Sequence, residues 1–184
     1  MSYGSVVAKN NVPEKVAFVV AKLEEAGFSA NGATDYEFTK NSNNLEHDVG
    51  ALLGGSGAAL GANFAELAVG EDTGGSIQVP SSFCSLVRIR VTPGLISRIG
   101  SCPLIKVQDT ARPMARTVTD CALMLDCMVG FDPGNDFTGF AATAAAIGLP
   151  RGGSYAAHLE DRPSKIKKAK IGIVRHRFGP DSDP

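Results

Sequence analysis

The sequence predicts an α/β fold, in which helices alternate with strands and pack against them in layers. Three observations predict it. Apolar residues recur at helical spacing from Val16 and again from Val118. An alternating run, Leu86-Val87-Arg88-Ile89-Arg90-Val91, lies between them. A short apolar run, Ile171-Gly172-Ile173-Val174, follows a basic stretch further on. The chain of 184 residues is long enough for one domain with a real core, so residues 1–184 are expected to form a single domain.

Taken in order, Gly4–Ala8 reads as a short strand and is followed by Lys9-Asn10-Asn11. Pro13 stands where a first helical turn would start. Val16, Val19, Val20, Leu23 and Ala26 then fall at i, i+3, i+4, i+7 and i+10, a single apolar stripe closed by Gly27. Phe28–His47 is polar and reads as loop with a short turn of helix. Gly50–Val69 is rich in Ala and Gly, and Gly57–Leu67 within it predicts a helix buried on most sides. Leu86–Val91 predicts a strand and Pro93-Gly94 a turn. Thr117 is placed to cap a helix, with Asp120 three residues on. Val118, Cys121, Ala122, Leu125 and Met128 form its apolar face, and Gly130 ends it. Gly134–Ala157 reads as loop, and Ile171–Val174 as a buried strand.

Composition removes several function classes. A net charge of -1 gives no electrostatic footprint for nucleic acid or an anionic membrane. No run approaches the length of a membrane span, and Met1–Lys9 lacks a secretory apolar region. Cys84, Cys102, Cys121 and Cys127 form no C-x-x-C pair and have no flanking His, which argues against zinc. They read as reduced thiols in or near the core of a cytoplasmic protein. Gly55-Ser56-Gly57 with Gly61 approaches a dinucleotide fingerprint, but no β-rich run precedes it and no P-loop Lys follows. His47, His158 and His176 lie in no hydrolase motif, and Ser76 is not in G-x-S-x-G.

The stretch with chemistry is Gly70-Glu71-Asp72-Thr73-Gly74-Gly75-Ser76-Ile77-Gln78-Val79-Pro80. Gly74 and Gly75 let the backbone approach a ligand closely. Successive N–H groups in such a turn form a concave anion site, and Ser76 would set a hydroxyl beside them. A nucleophile next to oxyanion donors is the minimum equipment for acyl transfer.

Around this stretch the sequence resembles the amidase signature family, whose signature reads P-G-G-S-S-G-G-S, an Ala-rich helix, then G-T-D-T-G-G-S-I-R-x-P. Gly54-Gly55-Ser56 and Gly70–Ile77 carry the likeness, followed by Ser82-Phe83-Cys84, Thr92-Pro93-Gly94, Gln108-Asp109-Thr110-Ala111 and Pro113–Val118. Phe131-Asp132-Pro133 and Ala169–Val174 continue it. The resemblance implies a mixed sheet flanked by helices, of which this chain covers about the first part. It implies hydrolysis of the C–N bond of a small-molecule carboxamide by a Ser–Ser–Lys triad, with no metal or organic cofactor. On it, Ser76 is the nucleophile, and backbone N–H groups of Thr73, Gly74, Gly75 and Ser76 hold the oxyanion. Lys9, in Val6-Val7-Ala8-Lys9-Asn10-Asn11, matches the family lysine, at a spacing shorter than the family's.

The match has departures. An ungapped alignment sets Leu52 where the family has its bridging serine, and a leucine relays no proton. A gapped alternative sets Ser56 there. Gln78 stands where Arg is usual, Glu71 where Thr is usual and Arg112 where Gly is usual. Arg112 therefore puts a bulky residue at a position expected to need positive φ. Family chains are longer, so an open sheet edge is expected here, covered by a homo-oligomer or a partner. The competing expectation is a catalytically inactive amidase-like protein that serves as a binding module.

Overall fold

A computed structural model describes residues 10–28, 39–50, 53–102, 104–139, 153–159, 167 and 169–172. The strand expected at Gly4–Ala8, together with Lys9 and Leu52, lies outside the described residues. So do Ile173 and Val174, while Ile171 and Gly172 carry no regular structure.

The order of elements is α1 (Phe18–Glu25), α2 (Gly54–Gly61), β1 (Leu67–Glu71), α3 (Gln78–Phe83), β2 (Val87–Arg88), β3 (Ala111–Ala115) and α4 (Val118–Met128). A short 3-10 turn, Ala156–Leu159, follows. The result is an α/β arrangement with helices on both faces of a sheet. The described strands lie in the order β1-β3-β2 and pair antiparallel.

Strand β3 is central, and all five of its residues are buried. Its alternation decides what meets each face. Ala111 belongs to a core formed with Val19 and Leu23 of α1 and with Met124, Leu125 and Met128 of α4; Leu67 and Val69 of β1 pack against it. Met114 points the other way, to Leu60 of α2 and Ile77, with Ala68 and Leu53 beside them. Arg112, two residues from Met114, shares that second face.

Pro113 explains why β2 is shorter than the alternating run Leu86–Val91 suggests. Val87 pairs with Ala115 and Arg88 with Met114, so Ile89 would face Pro113 next. Ile89 N–H does donate to the Pro113 carbonyl at 3.4 Å. The reciprocal bond needs an N–H that proline lacks, and the ladder ends there.

Helix α4 begins as expected: Thr117 Oγ1 accepts from Asp120 N at 3.1 Å. Helix α1 begins at Phe18 rather than at Pro13, because Phe18 N–H is taken by the Ile99 carbonyl at 3.1 Å. The expected helix Gly57–Leu67 starts earlier and stops sooner, at Gly61. Asn63 takes a left-handed conformation, φ 62°, and Phe64 N–H closes back on the Ala59 carbonyl at 2.9 Å. That closure frees Leu67 to start β1.

Candidate functional site

Strand β1 delivers the chain into the loop Asp72–Ser76, which turns into α3. Gly70 allows the close approach behind it: a Cβ there would meet Leu53 Cδ1 at 2.7 Å and Ile77 Cδ1 at 2.8 Å. Ile77 is fully buried and pins the far end of the loop. Gly75 turns the chain at φ 137°, and its carbonyl accepts from Gln78 N at 2.9 Å to open α3.

Asp72 sits beneath the loop with no exposed surface. Its Oδ1 accepts from Gly75 N at 2.5 Å and Ser76 N at 2.8 Å. Its Oδ2 accepts from Arg90 Nη1 at 2.9 Å and from Arg112 Nη1. Arg112 Nη2 also donates to the Asp72 carbonyl at 3.0 Å. Burial alone would push the Asp72 carboxyl up; the Gly75 amide, Arg112 and Arg90 outweigh it and hold the group below the usual carboxylate range. Desolvation pulls Arg112 down to about 10, against the attraction of Asp72, so it stays charged at neutral pH.

Arg112 is not at a positive φ. Among the described non-glycine residues only Asn63 and Ser85 are, and Arg112 pairs with Gly70 as an ordinary residue of β3. The expectation of backbone strain there is corrected: the position is extended, which any L residue adopts.

A second carboxylate anchors the loop from the other side. Thr73 Oγ1 donates to Asp109 Oδ1 at 2.5 Å, and Asp109 Oδ2 accepts from Leu104 N at 2.6 Å and Ile105 N at 2.7 Å. The four amides of Thr73, Gly74, Gly75 and Ser76 thus divide. Those of Gly75 and Ser76 are taken by Asp72. Those of Thr73 and Gly74 have no partner among the described residues. A Cβ built at Gly74 or Gly75 would meet nothing within 4 Å, so the space beside those two glycines is open. Ser76 is half-buried, and no described residue hydrogen-bonds its hydroxyl.

The structure therefore brings Thr73, Gly74, Gly75 and Ser76 together on one loop. Ser56 lies on α2, which packs against β1 and α3. A cavity of about 180 Å³ is lined by Glu71, Arg98, Lys106, Asp109 and Asn135. Burial and the nearby Asp109 raise the Glu71 carboxyl, opposed by Arg98. A second cavity of about 270 Å³ lies between α3 and β2, lined by Gln78, Ser81, Ser82 and Arg88. Ser76 lines neither. Among the described residues no group of His, Cys, Asp or Glu could hold a metal ion, and no helix is long and apolar enough to cross a membrane. The four cysteines are free; Cys84 and Cys121 are buried, whereas Cys102 is exposed rather than near the core.

Sequence reasoning missed the partners Arg112, Arg90 and Asp109. One signal for the first was available: an arginine within an apolar run that becomes buried needs a counter-charge.

A family profile described as Amidase matches residues 1–184. The chain belongs to the amidase family. Among the relatives of this amidase-family chain is a glutamyl-tRNA(Gln) amidotransferase subunit of Gloeothece citriformis, 33% identical over 195 residues. That alignment takes in 98% of this chain and 38% of the relative, so the chain spans little more than a third of its length. The crystal structure of the corresponding amidotransferase subunit from Thermotoga maritima superposes with a TM-score of 0.70 at 30% identity, covering 74% of this chain and 33% of that one. The native peptide amidase of Stenotrophomonas maltophilia superposes with a TM-score of 0.67 at 29% identity, covering 75% and 32%. Solved structures of amidase-family enzymes thus share the described fold.

Proposed function

We propose that this amidase-family chain supplies the nucleophile loop for hydrolysis of a small-molecule carboxamide. Ser76 Oγ attacks the carbonyl carbon, the carbonyl oxygen becomes an oxyanion held by loop amides, and the C–N bond breaks with a proton passed to the leaving amine. Water then releases the acyl group from Ser76. One observation carries the reading. The loop is anchored by Asp72 and Asp109, the Thr73 and Gly74 amides and the Ser76 hydroxyl have no partner among the described residues, and a Cβ at Gly74 or Gly75 would meet nothing within 4 Å. Preorganised donors of this kind are each worth about 2.7–4 kcal/mol where charge develops.

Lys9 is the proposed base. It must be desolvated to be neutral at working pH. Catalytic groups of this kind act as a unit, and an oxyanion hole without its relay leaves roughly 10³–10⁴-fold over water. With Leu52 in the relay position, turnover is expected to be slow.

A second reading has its own support. The Gly75 and Ser76 amides are engaged by Asp72, and with Leu52 this favours a non-catalytic amidase-like binding module. A fluorophosphonate serine probe separates the two. Labelling of the wild-type chain that Ser76→Ala abolishes supports the hydrolase; a folded, monodisperse chain that takes no label supports the binding module. Unchanged amide turnover in Lys9→Ala would remove Lys9 from the mechanism.

A further inference from the structure

We propose that Arg112 is a positioning residue for the Ser76 loop, acting through Asp72. The inference rests on Ser76 being the nucleophile only for its consequence in reactivity; the anchoring itself does not depend on that reading.

The Asp72 carboxylate divides its two oxygens between two jobs. Oδ2 takes the arginines, and Oδ1 takes the Gly75 and Ser76 amides. Whatever fixes the rotation of the carboxylate therefore fixes where those amides stand. Two cations reach Oδ2, and they are unequal. Arg90 makes one contact from a side chain 41% exposed. Arg112 is fully buried and makes two, one to the carboxylate and one to the Asp72 carbonyl. It thus holds both the side chain and the backbone of Asp72, which a flexible single-point contact does not.

The origin of Arg112 makes the clamp stiff. It projects from central β3 directly opposite Gly70, so the loop is tied to the most buried strand across the register pair that precedes it. Arg112 Nε is buried without a partner among the described residues. An unsatisfied donor is unfavourable, so the fork is oriented by its two Asp72 contacts rather than by satisfying all its protons. A lysine at this position reaches one acceptor at a time and would restrain the carboxylate only in part.

The test uses the full ¹⁵N-labelled chain. Arg112→Gln is compared with wild type for amide hydrogen exchange at Gly75 and Ser76, and for the rate of fluorophosphonate labelling per folded molecule. Exchange at those two amides should accelerate roughly tenfold or more beyond whatever the loss of global stability does to the core α4 amides, and labelling should slow by a similar factor. Arg112→Lys should recover part of both. Unchanged exchange at Gly75 and Ser76 in folded Arg112→Gln overturns the proposal. So does faster exchange with an unchanged labelling rate, the signature of a merely structural arginine. If wild type takes no label, the nucleophile reading fails, and the exchange comparison still decides whether Arg112 anchors the loop. Should Arg112→Gln not fold, the wild-type guanidinium decides: slowly exchanging Arg112 Nη protons support the clamp, and rapidly exchanging ones overturn it.

Discussion

Removing either partner of the Asp72–Arg112 pair should destabilise the fold, but by unequal amounts, and the inequality follows from what each residue retains. In Asp72→Asn, Arg112 stays fully buried with no counter-charge, and its charged neighbours Arg90 and Arg88 repel it. An uncompensated buried charge costs about 3–5 kcal/mol. In Arg112→Met, Asp72 keeps Arg90 at 2.9 Å and the Gly75 and Ser76 amides at 2.5 and 2.8 Å. That change also removes the unsatisfied Nε. The loss is then that of charged hydrogen bonds, about 1.5–3 kcal/mol. The double variant Asp72→Asn/Arg112→Met leaves neither charge of the buried pair. It should be more stable than Asp72→Asn alone, with a coupling of about 0.5–3 kcal/mol. Urea denaturation with a constant m-value measures all four corners of the cycle. Additive single costs, or Arg112→Met at least as damaging as Asp72→Asn, would refute the assignment of Asp72 as the compensating charge for Arg112.

Three further outcomes are expected. The Asp72 carboxyl is held below its ordinary 3.8, so its contribution is present above that value and is lost as pH falls through the lower folded pKa. Thermal midpoints followed from about pH 5 to 2 should show an acid loss in wild type that Asp72→Asn lacks; a parallel decline in both would exclude Asp72 as its source. Gly75→Ala should cost about 1–3 kcal/mol because φ is 137° there, although a Cβ meets nothing. Gly74→Ala, with the same open space and no positive φ, should stay within about 0.5 kcal/mol, and equal costs by urea denaturation would contradict the conformational explanation. Exposed Cys102 should react first with Ellman's reagent under native conditions, and Cys121 last, since it is buried with its thiol pushed up to about 11; the reverse order would not fit this core.

The two helices that pack under the sheet were legible because their apolar residues repeat at helical spacing. The Thr117 cap was legible because its geometry is local to Thr117 and Asp120. Strands β1 and β3 were not. Leu-Ala-Val-Gly-Glu continues the small-residue composition of α2, and only the left-handed turn at Asn63 separates them. Ala-Arg-Pro-Met-Ala contains a proline and an arginine, which argue against a central strand. The Pro113 nitrogen lies where β2 has already ended, and the arginine is neutralised across the sheet, so neither objection applies in three dimensions. In the site, glycines and a serine at short spacing revealed the loop. Its anchors are contributed from far along the chain: Asp72 meets Arg112 at a separation of 40 residues, and Thr73 meets Asp109 at 36. No periodicity encodes such pairs.

The placement of charge beneath the loop bears on its chemistry. A lone carboxylate bonded to two of the four amides would oppose an oxyanion beside it. Like charges about 4 Å apart repel by about 4 kcal/mol at an effective dielectric near 20, enough to cancel one oxyanion donor. Asp72 is not alone. Arg90 and Arg112 both reach its Oδ2, so the three groups together carry one net positive charge at neutral pH. Asp109, bonded to Thr73 Oγ1 on the other side of the loop, offsets that charge, so the arginines cancel the Asp72 carboxylate while its Oδ1 holds Gly75 and Ser76 in place. The division of the amides then has a consistent physical sense. Gly75 and Ser76 set the shape of the turn, and the Thr73 and Gly74 amides are the two left without a partner among the described residues. A site built this way depends on Arg90 and Arg112 to offset the Asp72 carboxylate and on Arg112 for its geometry. Neutralising Arg90, the half-exposed partner, should therefore slow Ser76 labelling while leaving protection of the Gly75 and Ser76 amides near wild type. Loss of that protection in Arg90→Gln would show that the two arginines share the positioning role.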